Sequence, residues 1–404
     1  MRRQDRDTSH RRCSLNTKSA VLCAVLGLAG ASGLSHAGDG VKIFSDADGD
    51  SISFFGIIDA GILYQSNSTK ADGSHGGSET GMAANGLRQS VWGFKGLSSD
   101  LAIGGNTKAF FNLESHIDPP TGLLHGTGDV VDQPTPLFRR QANVGLTGDW
   151  GALIVGRQYG PSLLADLNTE PRYFKEQFSN LYAWAYGQIA TNNATIIPTN
   201  RNTNNDVGIF FENALQYRNT WGPVTVGVLY SLGGTNNSFS YNSAYAIGAE
   251  YKGPVIVSGS FQEMKDENTG RTDVEHWSLG FAVPYHAFTF KTLFLQAENN
   301  IAATGTDYAR VDSWGVGTDW HWSTRNTATV ALYYNHDMLH SGDETHDIVI
   351  SDDFVMTKWI TAYFDYVYVA AGPTASILTS IVAAGVPQQN ANTSLVMVGL
   401  NFSF

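Results

Sequence analysis

The stretch from Thr393 to Phe404 constrains the fold of this chain more than any other. In an extended strand, Val396, Val398, Leu400, Phe402 and Phe404 share one face, while Gly399, Asn401 and Ser403 share the other; Leu395 and Met397 break the pattern. Such a strand suits a sheet with an apolar medium on one side and water on the other. After the first 37 residues no run of 18 apolar residues occurs, so no helix of this chain is suited to spanning a bilayer. The remaining way to cross lipid is a closed antiparallel β-barrel, in which every backbone N–H and C=O finds a partner.

The other end of the sequence agrees about compartment. Arg2, Arg3, Arg6, Arg11, Arg12 and Lys18 precede an apolar stretch from Ala20 to Leu34, and Ser35-His36-Ala37 has the small residues of a cleavage site. Residues 1–37 are expected to be a signal peptide, residues 38–50 an N-terminal periplasmic segment, and residues 51–404 the barrel. A lipoprotein reading of Cys23 meets Leu22 where a small residue is needed, and a twin-arginine reading of Arg11-Arg12 lacks its apolar context. Both cysteines lie in the leader, so the exported chain has no disulfide. It keeps 19 basic and 35 acidic residues, net −16, which argues against nucleic acid as a partner.

Turn signals then count the strands. Short ones occur at Ser98-Ser99-Asp100, Gly148-Asp149-Trp150-Gly151, Trp221-Gly222-Pro223, Lys252-Gly253-Pro254, Pro284-Tyr285-His286, Ser323-Thr324-Arg325 and Met356-Thr357-Lys358. Long segments alternate with them near 66–84, 117–135, 160–208, 233–239, 264–273, 298–307, 338–346 and 372–391. Seven short turns and eight long loops imply sixteen strands, an even number with one short-turned and one long-looped end. The segment 160–208 is too long for a plain connection, and its aromatics (Tyr173, Phe174, Phe178, Tyr182, Trp184, Tyr186) predict that it folds into the lumen.

Several runs carry a resemblance. Ser53-Phe54-Phe55-Gly56-Ile57-Ile58-Asp59-Ala60-Gly61, Trp92-Gly93-Phe94-Lys95-Gly96, residues 108–115, Arg140 to Leu146 and Val155 to Gly160 occur in order, and with the terminal Phe404 they resemble the general porins of Gram-negative outer membranes. The resemblance implies an all-β fold: a 16-stranded transmembrane barrel with its third loop inside, in the outer membrane, without cofactor or catalysis. It implies a water-filled pore for passive diffusion of small hydrophilic solutes and ions, and a homotrimer. It also implies contact with outer-membrane lipid and lipopolysaccharide, and delivery by the barrel-insertion machinery, with Phe404 as the insertion signal.

In that family arginines on the wall face acidic residues on the third loop, giving a transverse field. Here Arg140 occupies one arginine position, but Val91 and Phe210 stand at two others. The wall candidates for the constriction are therefore Arg140, Val91, Phe210, Lys108 and Glu114, and the loop candidates are Asp166, Glu170 and Glu176, with Arg172, Lys175 or Arg201 able to restore positive charge. Arg157 reads as structural, at the loop base or subunit contact. The exchange of arginine for Val and Phe, with the aromatic third loop, opens an alternative: a substrate-selective channel for less polar or aromatic molecules, in a barrel of sixteen or eighteen strands.

Other clusters are weaker. Asp46, Asp48 and Asp50 copy the first half of a calcium loop, but Ser51 and Ile57 stand where glycine and a bidentate carboxylate belong, leaving only a looser metal site. His336, Asp337, His340, Asp343, Glu344, His346 and Asp347 read as a wet hairpin tip. Pairs such as Ser278 with His276, or His321 with Asp319, are candidates for an outer-membrane hydrolase, but no elbow or metal motif supports them.

Overall fold

A computed structural model describes residues 40–69, 75–124, 136–187, 202–234, 239–301, 304–382 and 388–404. The expected signal peptide, Arg201 and parts of several loops lie outside these residues.

Sixteen antiparallel strands close into one barrel. They are β1 (Ser51–Thr69), β2 in two pieces (His75–Ala84 and Val91–Leu97), β3 (Lys108–His116), β4 (Gln141–Gly148), β5 (Gly151–Tyr159), β6 (Phe210–Trp221), β7 (Val224–Ser231) and β8 (Ala244–Lys252). The second half comprises β9 (Ile256–Lys265), β10 (Thr272–Tyr285), β11 (Phe288–Ile301), β12 (Thr306–Trp320), β13 (Asn326–Asp337), β14 (Glu344–Val355), β15 (Ile360–Ala371) and β16 (Asn392–Ser403). Closure comes from β16 on β1, with Leu395 opposite Gln65 and Ser403 opposite Ile57. Sixteen strands replace the eighteen-strand variant of the alternative reading.

Burial is the reverse of a water-soluble protein's. Leu153, Val155, Leu215, Val228, Leu279, Val316, Ile350, Val398 and Leu400 are exposed, whereas Asp59, Gln216, Lys291, Asp319, Asn335 and Asp365 are buried. Apolar side chains face out and polar ones face in, which is stable only if the outside is hydrocarbon. Trp221, Tyr285, Phe288, Trp320, Trp322, Trp359 and Phe402 sit on the outer surface at the short-turned end, the level at which amphipathic rings meet the lipid headgroups.

Two expectations about connections are corrected. Residues 75–84 were expected within a long loop, but they form the upper piece of β2, paired with Ala60–Thr69, because strand pairing satisfies the backbone of this polar segment. Ser98-Ser99-Asp100 opens a ten-residue excursion to Thr107 rather than a tight turn. Thr107 closes it by donating to Gly104 O at 2.6 Å and accepting from Trp150 Nε1 at 3.1 Å.

Between the two pieces of β2 the chain folds inward around Asp59. Its carboxylate accepts the backbone N–H groups of Gly86, Leu87 and Arg88, the Tyr363 hydroxyl at 2.8 Å and Asn401 Nδ2 at 2.9 Å. Thus a residue of β1 ties the β2 break to β15 and β16. Leu395 and Met397, which break the alternation of β16, face inward and pack with Tyr333, Val349, Tyr363 and Phe178. Within residues 38–50, Val41–Ser45 form a short strand on the lower part of β1, and Phe404 bonds through its backbone to Gly56 just above it.

Candidate functional site

Beyond β5 the chain turns into the lumen. Helix α1 (Pro161–Asp166) starts with Pro at its first turn, where no N–H is needed. It lies on β7, β8 and β9. Its last residue, Asp166, accepts from Ser258 Oγ at 2.6 Å, from Ser260 at 3.3 Å and from Ser278. Burial drives this carboxyl up to about 6, with the three serine hydroxyls holding it lower than burial alone would.

The segment that follows crosses to the opposite wall. Glu170 is fully buried and accepts the N–H groups of Arg172, Phe174 and Asn180 and the hydroxyl of Tyr333 on β13. Arg172 pairs with Asp365 on β15 and donates to the carbonyls of Gln177 and Phe178 at 2.8 and 2.7 Å. Lys175 pairs with Asp353 on β14. From the wall, Lys291 donates to Pro171 O at 3.0 Å, lies 3.2 Å from the Tyr173 ring centroid and pairs with Asp319 at 2.7 Å. Tyr173, Phe174 and Phe178 all have positive φ, a strained conformation for aromatics that these contacts over-determine. Helix α2 (Asn180–Gly187) then packs on β11 and β12, with the Trp184 and His276 rings tilted at 54° and their centroids 3.9 Å apart.

The sequence candidates separate into three groups. Arg140 bonds Glu114 and the Tyr159 hydroxyl, and its guanidinium lies 5.2 Å from the Phe210 ring. Glu176 is near enough to Arg140 to act on its charge. Phe210, standing where an arginine was expected, becomes the aromatic surface on which Arg140 and Arg157 both rest. Val91 is fully buried with Phe55 and Ile57, and Lys95 lies 5.7 Å from the Phe55 ring centroid. Lys108 lies six residues below Glu114 on the same face of β3, about 20 Å away at ~3.4 Å per residue. Asp166 and Glu170 face wall serines and Tyr333, and are spent on holding the loop. Arg157 joins Asp206 at 2.9 Å, Glu212 and the Arg139 carbonyl at the loop base.

Asp46 uses one carboxylate oxygen to accept the N–H groups of Asp48, Gly49 and Asp50. Among the described residues no three His, Cys, Asp or Glu side chains converge to hold a metal. Asp343, in the histidine-rich hairpin, accepts from Ser376 N and Thr379 Oγ1 and so tethers the last loop. Ser278 bonds Asp166 and Ser260 rather than His276, and Asp319 bonds Lys291 and Thr329 rather than His321. Sequence reasoning missed Lys291, Asp353 and Asp365, and met Asp59 only as part of the first-strand run. The only signal for them was a charge placed on the inward parity of an otherwise apolar strand.

A sixteen-stranded barrel that is apolar outside, polar inside and has its third loop folded through the lumen defines an outer-membrane channel protein. Residues 20–372 match the model of the Gram-negative porin family, and the chain belongs to that family and to the bacterial outer membrane. A Bordetella pertussis outer membrane porin protein is 34% identical over 117 residues, a match covering 27% of this chain and 28% of that protein's length. Among solved structures, an anion-selective porin from Comamonas acidovorans superposes with a TM-score of 0.70 at 20% identity, covering 88% of this chain and all of that one. OmpF of Salmonella typhi, in complex with daunomycin, gives 0.59 at 14% identity, covering 89% and 100%. OmpT of Vibrio cholerae gives 0.57 at 10%, covering 90% and 100%. At these identities the likeness is one of fold.

Proposed function

We propose that the protein is a porin through which small hydrophilic solutes and ions diffuse passively, along the gap between the inward loop and the wall of β3 to β5. The observation that carries this is where the loop is anchored: apart from Gln177, which donates to Ala84 O of β2 at 3.2 Å, its side-chain ties run to the far wall. Asp166, Arg172 and Lys175 tie it to β9, β10, β14 and β15, while on the other side Glu176 looks toward Arg140. The buried Arg140–Glu114 pair of the wall and Glu176 of the loop then set a local transverse field. No catalytic step is assigned, because Ser278 bonds Asp166 and Ser260 rather than His276, and Asp319 bonds Lys291 and Thr329 rather than His321. Conductance and reversal potential of the purified protein in a planar bilayer under a salt gradient test the reading; a protein that inserts and passes no current would refute it.

The resemblance to trimeric porins, OmpT of Vibrio cholerae having been solved in a trimer form, supports a homotrimer. Phe404, bonded into β1 at Gly56, fits an insertion signal that ends on a paired strand.

A further inference from the structure

The last long connection, between Ala371 of β15 and Asn392 of β16, carries Ser376-Ile377-Leu378-Thr379-Ser380-Ile381-Val382. Four aliphatic side chains in seven residues are out of place in a loop that meets water. The structure puts them inside the barrel. Leu378, Ile381 and Val382 are buried, and Thr379 and Ser380 between them are closed off as well.

Polar ties hold the start of the segment. Ser376 opens a single 3₁₀ turn, Ile377–Thr379, and its Oγ accepts the N–H of Leu378 at 3.2 Å. Asp343 fixes this turn from the neighbouring hairpin, one carboxylate oxygen accepting from Ser376 N at 2.8 Å and from Thr379 Oγ1 at 2.7 Å. Thr345 of β14 donates to Thr379 O at 2.7 Å. With these groups satisfied the turn can be buried, and Leu378 packs on Ala309 and Val311 of β12 beside helix α2.

Ile381 and Val382 reach further. They share one apolar cluster with Leu87 of the β2 break, Phe178 of the inward loop and inward residues of β13 to β16 such as Val349 and Val369. Three distant segments thus meet over one side of the lumen. The two tyrosine hydroxyls of the cluster, Tyr333 and Tyr363, are taken by Glu170 and Asp59, which leaves it no free side-chain polar group to hold water.

We propose that residues 376–382 are a second size-limiting element of the pore. They seal the outer mouth over β12 to β16 and confine the water path to the side of β3 to β5, with Leu378, Ile381 and Val382 setting the limit. The inference rests on the channel reading, since it divides a lumen that must conduct.

The test compares the full-length protein with a variant lacking residues 376–382, whose remaining chain still joins β15 to β16. In planar bilayers in KCl the deletion should raise single-channel conductance by about half or more, and in liposome swelling it should raise raffinose entry relative to glucose about threefold or more. Ile381→Ala combined with Val382→Ala, which keeps the chain length, should move both readouts the same way. A reporter separates seating from size: Val369→Cys, at a buried wall position, should react with a membrane-impermeant thiol reagent about tenfold or more faster in the deletion variant than with the segment present. Hydrogen exchange of the wild-type protein in detergent needs no variant, and residues 377–382 should be protected like the strands rather than exchange like the exposed tip at 339–341. The proposal is overturned if 377–382 exchange like that tip, if the reporter reacts equally fast with and without the segment, or if conductance and the sugar ratio stay unchanged in both variants. Absence of current from the wild type would strike at the channel reading, whereas wild-type current that neither variant alters would remove only this inference.

Discussion

Asp59 shows how much one side chain can organise in a barrel wall. It accepts from three backbone N–H groups, Tyr363 and Asn401, so Asp59→Ala strands several buried donors at about 1–3 kcal/mol each. The variant should unfold at markedly lower urea concentration in a refolding assay in lipid, and should expose the β2 break at residues 85–90 to protease; an unshifted transition would refute this. Asp166 gives a pH-dependent counterpart. Burial raises its pKa from 3.8 to about 6 despite the bonds from Ser258, Ser278 and Ser260, so the folded state takes up its proton more readily than the unfolded chain. The sign follows: docking of α1 is weakest above pH 6, where the buried carboxyl is ionised, and strengthens as pH falls through 6 toward 4. Hydrogen exchange in 161–170, corrected for intrinsic rates, should be slower at pH 5 than at pH 8, and Asp166→Asn should flatten the difference. Equal protection of the wild type at both pH values would show that Asp166 does not govern docking.

At the scale of elements, strands were more legible than their connections. The alternation of β16 and of β3 could be read because lipid and lumen impose opposite chemistry on successive residues. The departures from it, Leu395, Met397, Phe55 and Ile57, had no local explanation. Phe178 and Tyr333 lie far along the chain from Leu395 and Met397 and reach them only when the loop folds inward and the wall curves, while Val91 meets Ile57 across the β1–β2 pairing. The anchoring of the inward loop was illegible for the same reason, since Arg172 meets Asp365 across 193 residues and Lys175 meets Asp353 across 178. Phe210 looked from sequence like the loss of a charge; in space it is the platform beneath two arginines. The loop's fit to the wall yields a steric prediction. Gly248→Ala places a methyl group 2.0 Å from Pro161 O, so α1 must lift or β8 must shift. Single channels of this variant should show altered conductance and more open-channel noise, with the barrel still assembled; traces like those of the wild type would mean that α1 tolerates the displacement.

For the whole molecule, the separation of charge between loop and wall decides what the channel favours. The net charge of the exported chain is a poor guide, because many of its inward carboxylates are already spent: Asp319 on Lys291, Asp353 on Lys175, Asp365 on Arg172 and Glu114 on Arg140. On the proposed reading the charges that matter flank the gap on the β3 to β5 side, where Glu176 acts on the Arg140–Glu114 pair. A carboxylate removed there leaves Arg140 more dominant, so Glu176→Gln should move the reversal potential in a KCl gradient toward anion selectivity. Glu170→Gln, a change of the same formal charge at a buried site, should shift selectivity far less and instead loosen the loop, since Glu170 holds three loop N–H groups and Tyr333. The contrast separates position from charge. If both variants shifted the reversal potential equally, the pore would be responding to total charge rather than to a field at the narrows. If Glu176→Gln shifted it toward cations, the gap would lie elsewhere than between Glu176 and Arg140.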